Sequence, residues 1–328
     1  MALLELMTLL DLRGSVAQVD GGIIDVAEML VQENEALTDV PWAHGNLLTG
    51  DIHYKRTAMP MAHKVSINQG IKSSVSKKEP QIDTCIQIAS RSAVDMRELQ
   101  LAPEPARFLA LEAKPHIAIM GEDVVHEIFY GNDPDGVMGI APRYNKLGDR
   151  EKGRQIIDFG GTGSNLTSVF FVKWDGQEVT GICPKNAPAG LAIKTMTDQL
   201  IPDVNGDYFY AHVTDYSQYF GLKIRDHRFI SRLCNIDMDA IATDATARQK
   251  LFRDLITTKN RIFHVSQGRV VMYMSPDLAN IMEIAAFDKE NAVVSYKEGI
   301  TSDTRIVTFS GVPIRKNDFM LNPEKRVA

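Results

Sequence analysis

Cysteine is scarce in this chain: Cys85, Cys183 and Cys234 are three in 328 residues, far apart and odd in number. No CxxC pair occurs, which argues against a disulfide framework or a zinc knuckle and for synthesis in a reducing cytosol. Long apolar runs are also missing, so no bilayer-spanning segment is expected. The opening stretch MALLELMTLLDLRG is apolar but carries Glu5 and Asp11 and no basic leader. It reads as a short amphipathic helix, not a signal peptide. Positive charge is not in excess: 36 Lys and Arg face 42 Asp and Glu, a net −6, which excludes the global basic signature of a nucleic-acid binder. No repeat period or low-complexity tract is present, and the remaining composition is that of a soluble globular protein.

The signatures of catalysis and metal binding are missing too. There is no HExxH, HxH or GxSxG, and the eight histidines are scattered. Cys183 precedes Pro184 with no His or acid nearby to activate it, so it reads as packed. Asp237 and Asp239 lie two apart, but their neighbours Ile236, Met238 and Ala240 mark a strand end. DPDG at 133–136 resembles half of a calcium loop. The positions where that loop needs further acids hold Val137 and Tyr144, so it reads as a turn. The cluster GGTGS at 160–164 comes after a strand-like run but completes neither GxxxxGK[ST] nor GxGxxG. The residues beyond it are β-branched and aromatic, as after a tight β-turn. No catalytic residue, cofactor or metal site emerges.

What is there centres on 104–131, EPARFLALEAKPHIAIMGEDVVHEIFYG. Leu109, Ala113, Ile117, Met120, Val124 and Ile128 recur at steps of four, four, three, four and four, the spacing of one face of an α-helix. Pro105 suits the first turn and Gly131 the stop. Run straight through, such a helix spans about 40 Å. Pro115 in its middle removes a backbone hydrogen bond, so the expectation is a kink or a start near Lys114.

Charge is segregated ahead of this helix. Over 1–48 the acids Glu5, Asp11, Asp20, Asp25, Glu28, Glu33, Glu35 and Asp39 face Arg13 alone, eight minus one, or −7. Two helical pieces are expected there, the second over 23–34; short helices of this kind need a surface to lie on, so the segment reads as an arm. Over 50–80 the sign reverses: Lys55, Arg56, Lys64, Lys72, Lys77 and Lys78 against Asp51 and Glu79, six minus two, or +4. Strand-like texture over 51–57 and 64–68, turn signals, and few large apolar residues point to a projecting hairpin or lariat. Further strands are expected over 84–90, 156–158, 167–174, 269–274, 292–296 and 306–309. Two long ones over 208–236 break at Asp226-His227, and 174–177 is a hairpin turn. Helices are expected over 93–101, over 240–257 (most securely 245–256), and from an N-cap at Ser275 through 286.

Several stretches in this order resemble the major capsid proteins of short-tailed double-stranded DNA phages, which have the Hong Kong 97-type capsid fold. They are HKVSINQGIKSSVSKKEPQIDTC at 63–85 and SRSAVD at 90–95; IFYGN at 128–132 and GIAPRYN at 139–145; GGTGSNLTSVFFVKWDGQEVTGICPKNAPAGL at 160–191; and GLKIRDHRF at 221–229 with Arg232, Asn235, Ile236 and Asp237. The resemblance covers 50 to 320; the first 48 residues match only as an arm, and Pro115 departs from a straight spine helix. It implies an α+β subunit with an N-terminal arm (1–48), an extended β-hairpin loop (49–92), a peripheral domain with the long spine helix (93–145 and 205–240) and an axial domain (146–204 and 241–328). It implies no enzyme and no cofactor. The implied partners are copies of the chain in hexamers and pentamers of an icosahedral shell, a portal, scaffolding or decoration proteins, and packaged double-stranded DNA, with no membrane. The implied location is the virion capsid, assembled in the host cytoplasm. The charge segregation then makes Lys55, Arg56, Lys64, Lys72, Lys77 and Lys78 contact candidates for Asp25, Glu28, Glu33 and Glu35 of a neighbour. The alternatives are a nucleic-acid-binding protein using the basic 50–80 lariat, marked by steep salt dependence, and a phosphate-binding α/β enzyme using 160–164, marked by nucleotide binding.

Overall fold

The structure is a computed structural model that describes residues 35–133, 136–149, 152–188, 190–202, 206–264, 268–287, 294–298, 305–318 and 320–328. The helices expected before residue 35 lie outside the described residues.

The long helix forms as one piece, α3 (Pro105–Tyr130, 26 residues), about 39 Å long. Pro115 neither delays nor divides it, because Pro115 and Leu111 one turn earlier are both exposed, so water reaches the carbonyl that loses its partner. The expected face is the buried one from Ala113 onward, joined by Gly121, Val125 and Phe129, while Leu109 is only half-buried. The helix ends where Gly131 passes close to Gly139. The Gly139 N–H donates to the Gly131 carbonyl at 2.7 Å, and a Cβ on Gly131 would lie 2.5 Å from the Glu127 carbonyl oxygen. Asn132 and Met138 pair in an antiparallel bridge, and the Gly136 N–H donates to the Asp133 carbonyl at 3.2 Å.

Two sheets flank α3. The first contains β1 (Trp42–His44), β2 (Gly50–Ala58), β3 (Lys77–Asp95), β6 (Val179–Cys183), β7 (Leu191–Pro202) and β8 (Tyr208–Ile224), in the order β1-β6-β8-β3-β2 with β7 also on β8. The second contains β4 (Ile156–Asp158), β5 (Leu166–Trp174), β9 (Ile230–Asp237), β10 (Arg269–Met274), β11 (Val294–Glu298), β12 (Arg305–Phe309) and β13 (Val312–Lys316), in the order β11-β12-β13-β10-β5-β9-β4. Alternation along β5 explains the second sheet's position. Phe170, Val172 and Trp174 face the core shared with α3, where Phe129 packs 5.6 Å from Phe170 and 5.1 Å from Tyr273. Val169 and Phe171 face the opposite core, closed by Leu251 and Leu255 of α6 (Ala245–Asn260) and Leu278 and Met282 of α7 (Pro276–Phe287). β5 is buried along its whole length, and its centre, 169–172, is the continuous apolar run expected of a strand covered on both faces, flanked by the buried polar residues Thr167, Ser168 and Lys173.

Several expected elements differ. Residues 64–68 form no strand; 59–76 is an irregular loop with a turn at 67–68. The return strand β3 runs on to Asp95, whose side chain caps the short helix α2 (Met96–Leu101) in place of a helix from 93. The 174–177 turn closes through the Asp175 N–H on Val179, yet β5 and β6 join different sheets, so it is a crossover and not a hairpin. Asp244 divides the 240–257 helix into α5 (Met238–Thr243) and α6 by capping the second. Ser275 Oγ makes no hydrogen bond among the described residues, so it does not cap α7. Val312–Lys316, read from sequence as tail, is a strand parallel to β10. Because β6 and β7 join β8 while β9 joins β5, the segments 146–204 and 205–240 each divide between the two sheets.

Candidate assembly interface

The hairpin is built from the root outward. β2 pairs antiparallel with the first part of β3, from Gly50↔Thr84 to Ala58↔Lys77. Its root is pinned by buried charge. Asp83 accepts from Arg143 Nη2 at 2.9 Å and from the Ile224 N–H at 3.3 Å, with His53 Nδ1 3.6 Å away, and Lys223 Nζ lies 2.6 Å from Asp51. Arg143 comes from the short helix α4 (Ile140–Arg143), just past the end of α3. Asn46 fastens the outer side, its amide donating to the Ile52 carbonyl at 2.7 Å and accepting from the Ile52 N–H at 2.8 Å. One-sided loss of such buried partners is costly, so the root is a stiff mount.

The tip is the opposite. Its loop is held by Ser74 Oγ on the Met61 carbonyl at 2.9 Å and by a turn at Ser66, where Asn68 takes a positive φ of 69° that asparagine tolerates. Met59, Met61, Val65, Ile67, Ile71 and Val75 are all exposed there. An exposed apolar cluster of this size marks a contact surface.

The sequence-derived candidates fall into place only in part. Lys64 and Lys72 stand exposed on the tip; Lys77 and Lys78 are exposed at the start of β3; Lys55 is half-buried in β2 across from Glu79; Arg56 lies across from Lys78 in register. Asp25, Glu28 and Glu33 lie outside the described residues, and of Glu35 only the backbone is described, as the first residue of α1 (Glu35–Asp39). The charge pattern missed two features. Between the hairpin and the 223–228 turn lies a cleft of about 750 Å³, lined by Lys55, Lys78, Lys223, Arg225 and Arg228 against Glu178 and Asp226. Arg228 holds Asp226 at 2.6 Å and Arg225 lies 3.7 Å from Glu178. The other feature is Asp39, fully buried, which accepts from Tyr273 Oη at 3.1 Å and Arg315 Nε at 3.0 Å and pairs with Arg269. With Ala36, Leu37 and Val40 in the core, it ties α1 to the body of the subunit.

The other candidate chemistries do not assemble. In the glycine cluster the Gly161 N–H is already given to the Asn235 carbonyl at 3.0 Å, and the Asp237 carboxylate packs against Gly163, where a phosphate would meet negative charge. Asp237 is the cap of α5, accepting from the N–H groups of Asp239 and Ala240. Burial pushes the Cys183 thiol up, away from the thiolate a nucleophile needs. Among the described residues no group of His, Cys, Asp or Glu is placed to hold a metal ion, and no helix is long and apolar enough to cross a membrane.

Comparison with known proteins agrees with this frame. The family model of the major capsid protein GP7 matches residues 18–328. A structure of bacteriophage Epsilon15 derived from cryo-EM and modelling superposes with a TM-score of 0.71 at 25% identity, over 100% of this chain and 99% of that one. The capsid of bacteriophage JBD30 shares the fold, with a TM-score of 0.52 at 9% identity over 88% of this chain and 90% of that one. No curated protein matches. The chain therefore belongs to the major capsid protein GP7 family, a structural phage capsid subunit of the Hong Kong 97-type fold that works through contacts between copies and not through catalysis.

Proposed function

We propose that copies of this chain form hexamers and pentamers of an icosahedral shell, assembled in the host cytoplasm around a portal, with scaffolding or decoration proteins as further partners. The shell encloses double-stranded DNA without reading its sequence. Within the subunit, α3 with the long-strand sheet is the peripheral part, the second sheet with α6 and α7 the axial part, β2–β3 the extended loop, and the chain before residue 49 the arm. The observation that carries this reading is the hairpin: a rigid buried-charge root bearing a basic, apolar, exposed tip.

The first contact proposed is between the acidic arm of one copy, with Asp25, Glu28, Glu33 and Glu35, and the hairpin bases Lys55, Arg56, Lys64, Lys72, Lys77 and Lys78 of a neighbour. The cationic cleft at the hairpin's base supports it. Opposite charge sets encounter and register while apolar contacts hold the seam. One exposed ion pair is worth at most about 1 kcal/mol, but a shell repeats the contact in every subunit. Reversing Lys55, Arg56 and Lys64 to Glu takes the 50–80 balance from +4 to −2, since three reversals subtract six. The expected result by electron microscopy is loss of shells, with circular dichroism of the subunit unchanged. Shells at the unmodified yield would refute the contact.

A further inference from the structure

The hairpin leaves the first sheet at a notch. β3 pairs with β8 as far as Cys85↔Gly221, and with β2 from Thr84↔Gly50 outward. Where the β3–β8 ladder stops, Lys55 and Lys78 of the hairpin and Arg225 and Arg228 of the 223–228 turn line the same cleft of about 750 Å³. That is the size of a small-molecule site, far more than one water needs. Its own acids do not cancel its charge. Five bases and two acids line it. Counting also the charges behind it, Arg143, Asp83 and Asp51, makes six against four.

Hydrogen-bond donors are left over as well. Arg225 Nη1 lies 3.7 Å from Glu178, and its guanidinium makes no hydrogen bond among the described residues. Arg228 gives Nε and Nη2 to Asp226, and its Nη1 makes none among the described residues. Lys78 is exposed and forms no ion pair among them. Water serves exposed groups of this kind. His53 is different. It lines the cleft yet is only 6% exposed, and neither ring nitrogen makes a hydrogen bond among the described residues. Its Nδ1 lies 3.6 Å from Asp83, beyond hydrogen-bond length. Burial holds the ring neutral at pH 7, with one N–H to give. A buried donor left unpaired is costly, and what completes it from the cleft must be an acceptor.

We propose that this cleft binds the phosphate group of a small phosphorylated molecule, held by Arg225, Arg228 and Lys78 with the buried His53 ring as a further donor. A phosphate group presents three strong acceptor oxygens, so it can take bonds from the hairpin and the turn together, where a carboxylate has two in one plane. Tyr54 and Met59, both exposed, line the same cleft and offer apolar surface to the rest of the molecule. The inference goes beyond the assembly reading and needs only one folded copy.

The test is isothermal titration calorimetry of the full-length, unassembled subunit with inorganic phosphate, AMP and adenosine at fixed ionic strength. Phosphate and AMP should each bind once per chain, AMP with a dissociation constant below about 1 mM, and adenosine should not bind. Arg225→Gln should weaken AMP binding at least tenfold with circular dichroism unchanged. In nitrogen NMR spectra of histidine-labelled subunit, AMP should move the His53 ring signals, which ions gathered loosely at the surface do not do. No heat from phosphate or AMP, adenosine binding as well as AMP, a variant that binds as before, or unmoved His53 signals would each overturn the proposal. Lys55, Arg56 and Lys64 are untouched and no neighbouring copy takes part, so failure here is separable from failure of the arm contact.

Discussion

Glu324 is a buried carboxylate whose loss should be costly. It lies near the C-terminus, outside any helix or strand, yet its side chain is only 5% exposed. Its carboxylate takes hydrogen bonds from Arg232 Nη2 at 2.8 Å, Tyr130 Oη at 2.6 Å and Ser168 Oγ at 2.5 Å, joining β9, the end of α3 and β5. Glu324→Gln keeps one acceptor oxygen but removes the charge. Arg232, 4% exposed, is then left with neutral partners only: Ser168 Oγ at 3.1 Å and the carbonyls of Ala141 and Tyr144 at 3.1 and 2.9 Å. Removing one side of a buried pair costs about 3–5 kcal/mol, a large part of a total of about 5–15. At about 2 °C per kcal/mol for a chain of this size, the melting temperature of the unassembled subunit should fall by about 6–10 °C. Calorimetry reads this directly. Arg232→Met with Glu324→Met should recover most of the loss, since two apolar groups leave no uncompensated charge. A drop below about 2 °C for Glu324→Gln, or a double variant less stable than the single one, would refute the reasoning.

Two further predictions concern titration. Burial pushes the Cys85 and Cys234 thiols up to about 12. At pH 8 their thiolate fraction is therefore about one in ten thousand, and alkylation by iodoacetamide should run about a thousandfold slower than for a free thiol. Rapid labelling of Cys85 in the folded subunit would contradict this. Burial, together with Lys223 and Arg143, outweighs Asp83 and Asp51 and holds His53 below the ordinary 6.5. The unfolded chain therefore takes up this proton first as pH falls. His53 costs no stability above pH 6.5 and progressively more below it. His53→Gln should flatten the acid limb of the urea midpoint between pH 7 and 5, and an unchanged slope would sink the assignment.

The hairpin and the spine helix were legible in the chain because their signals are local. Charge sign changes at residue 50, and apolar residues recur every three or four from 109 to 128. The break between β8 and β9 at Asp226-His227 was legible for the same reason, Asp226 being the cap of the short turn beginning at His227. The buried root of the hairpin was not. Asp51, Asp83, Arg143 and Lys223 lie in four separate segments, and each alone reads as a surface charge. The apolar tip was also missed, since isoleucines spaced through a polar loop show no periodicity that separates a core strand from an exposed contact.

By itself the sequence determined the spine helix and most of the longer strands, because backbone period and capping depend on neighbours within a turn or two, although 64–68 formed no strand. It also excluded the common catalytic motifs and carried a family resemblance through the order of its parts. Only the tertiary structure decided which sheet each strand joined. The 174–177 turn was expected as a hairpin and became a crossover, and Val312–Lys316 was expected as tail and became a partner of β10. It likewise decided that Pro115 could be carried within a continuous helix. These outcomes depend on which face is buried, and burial is set by residues distant in the chain, as for Met272 beside Ile314, which no local pattern records.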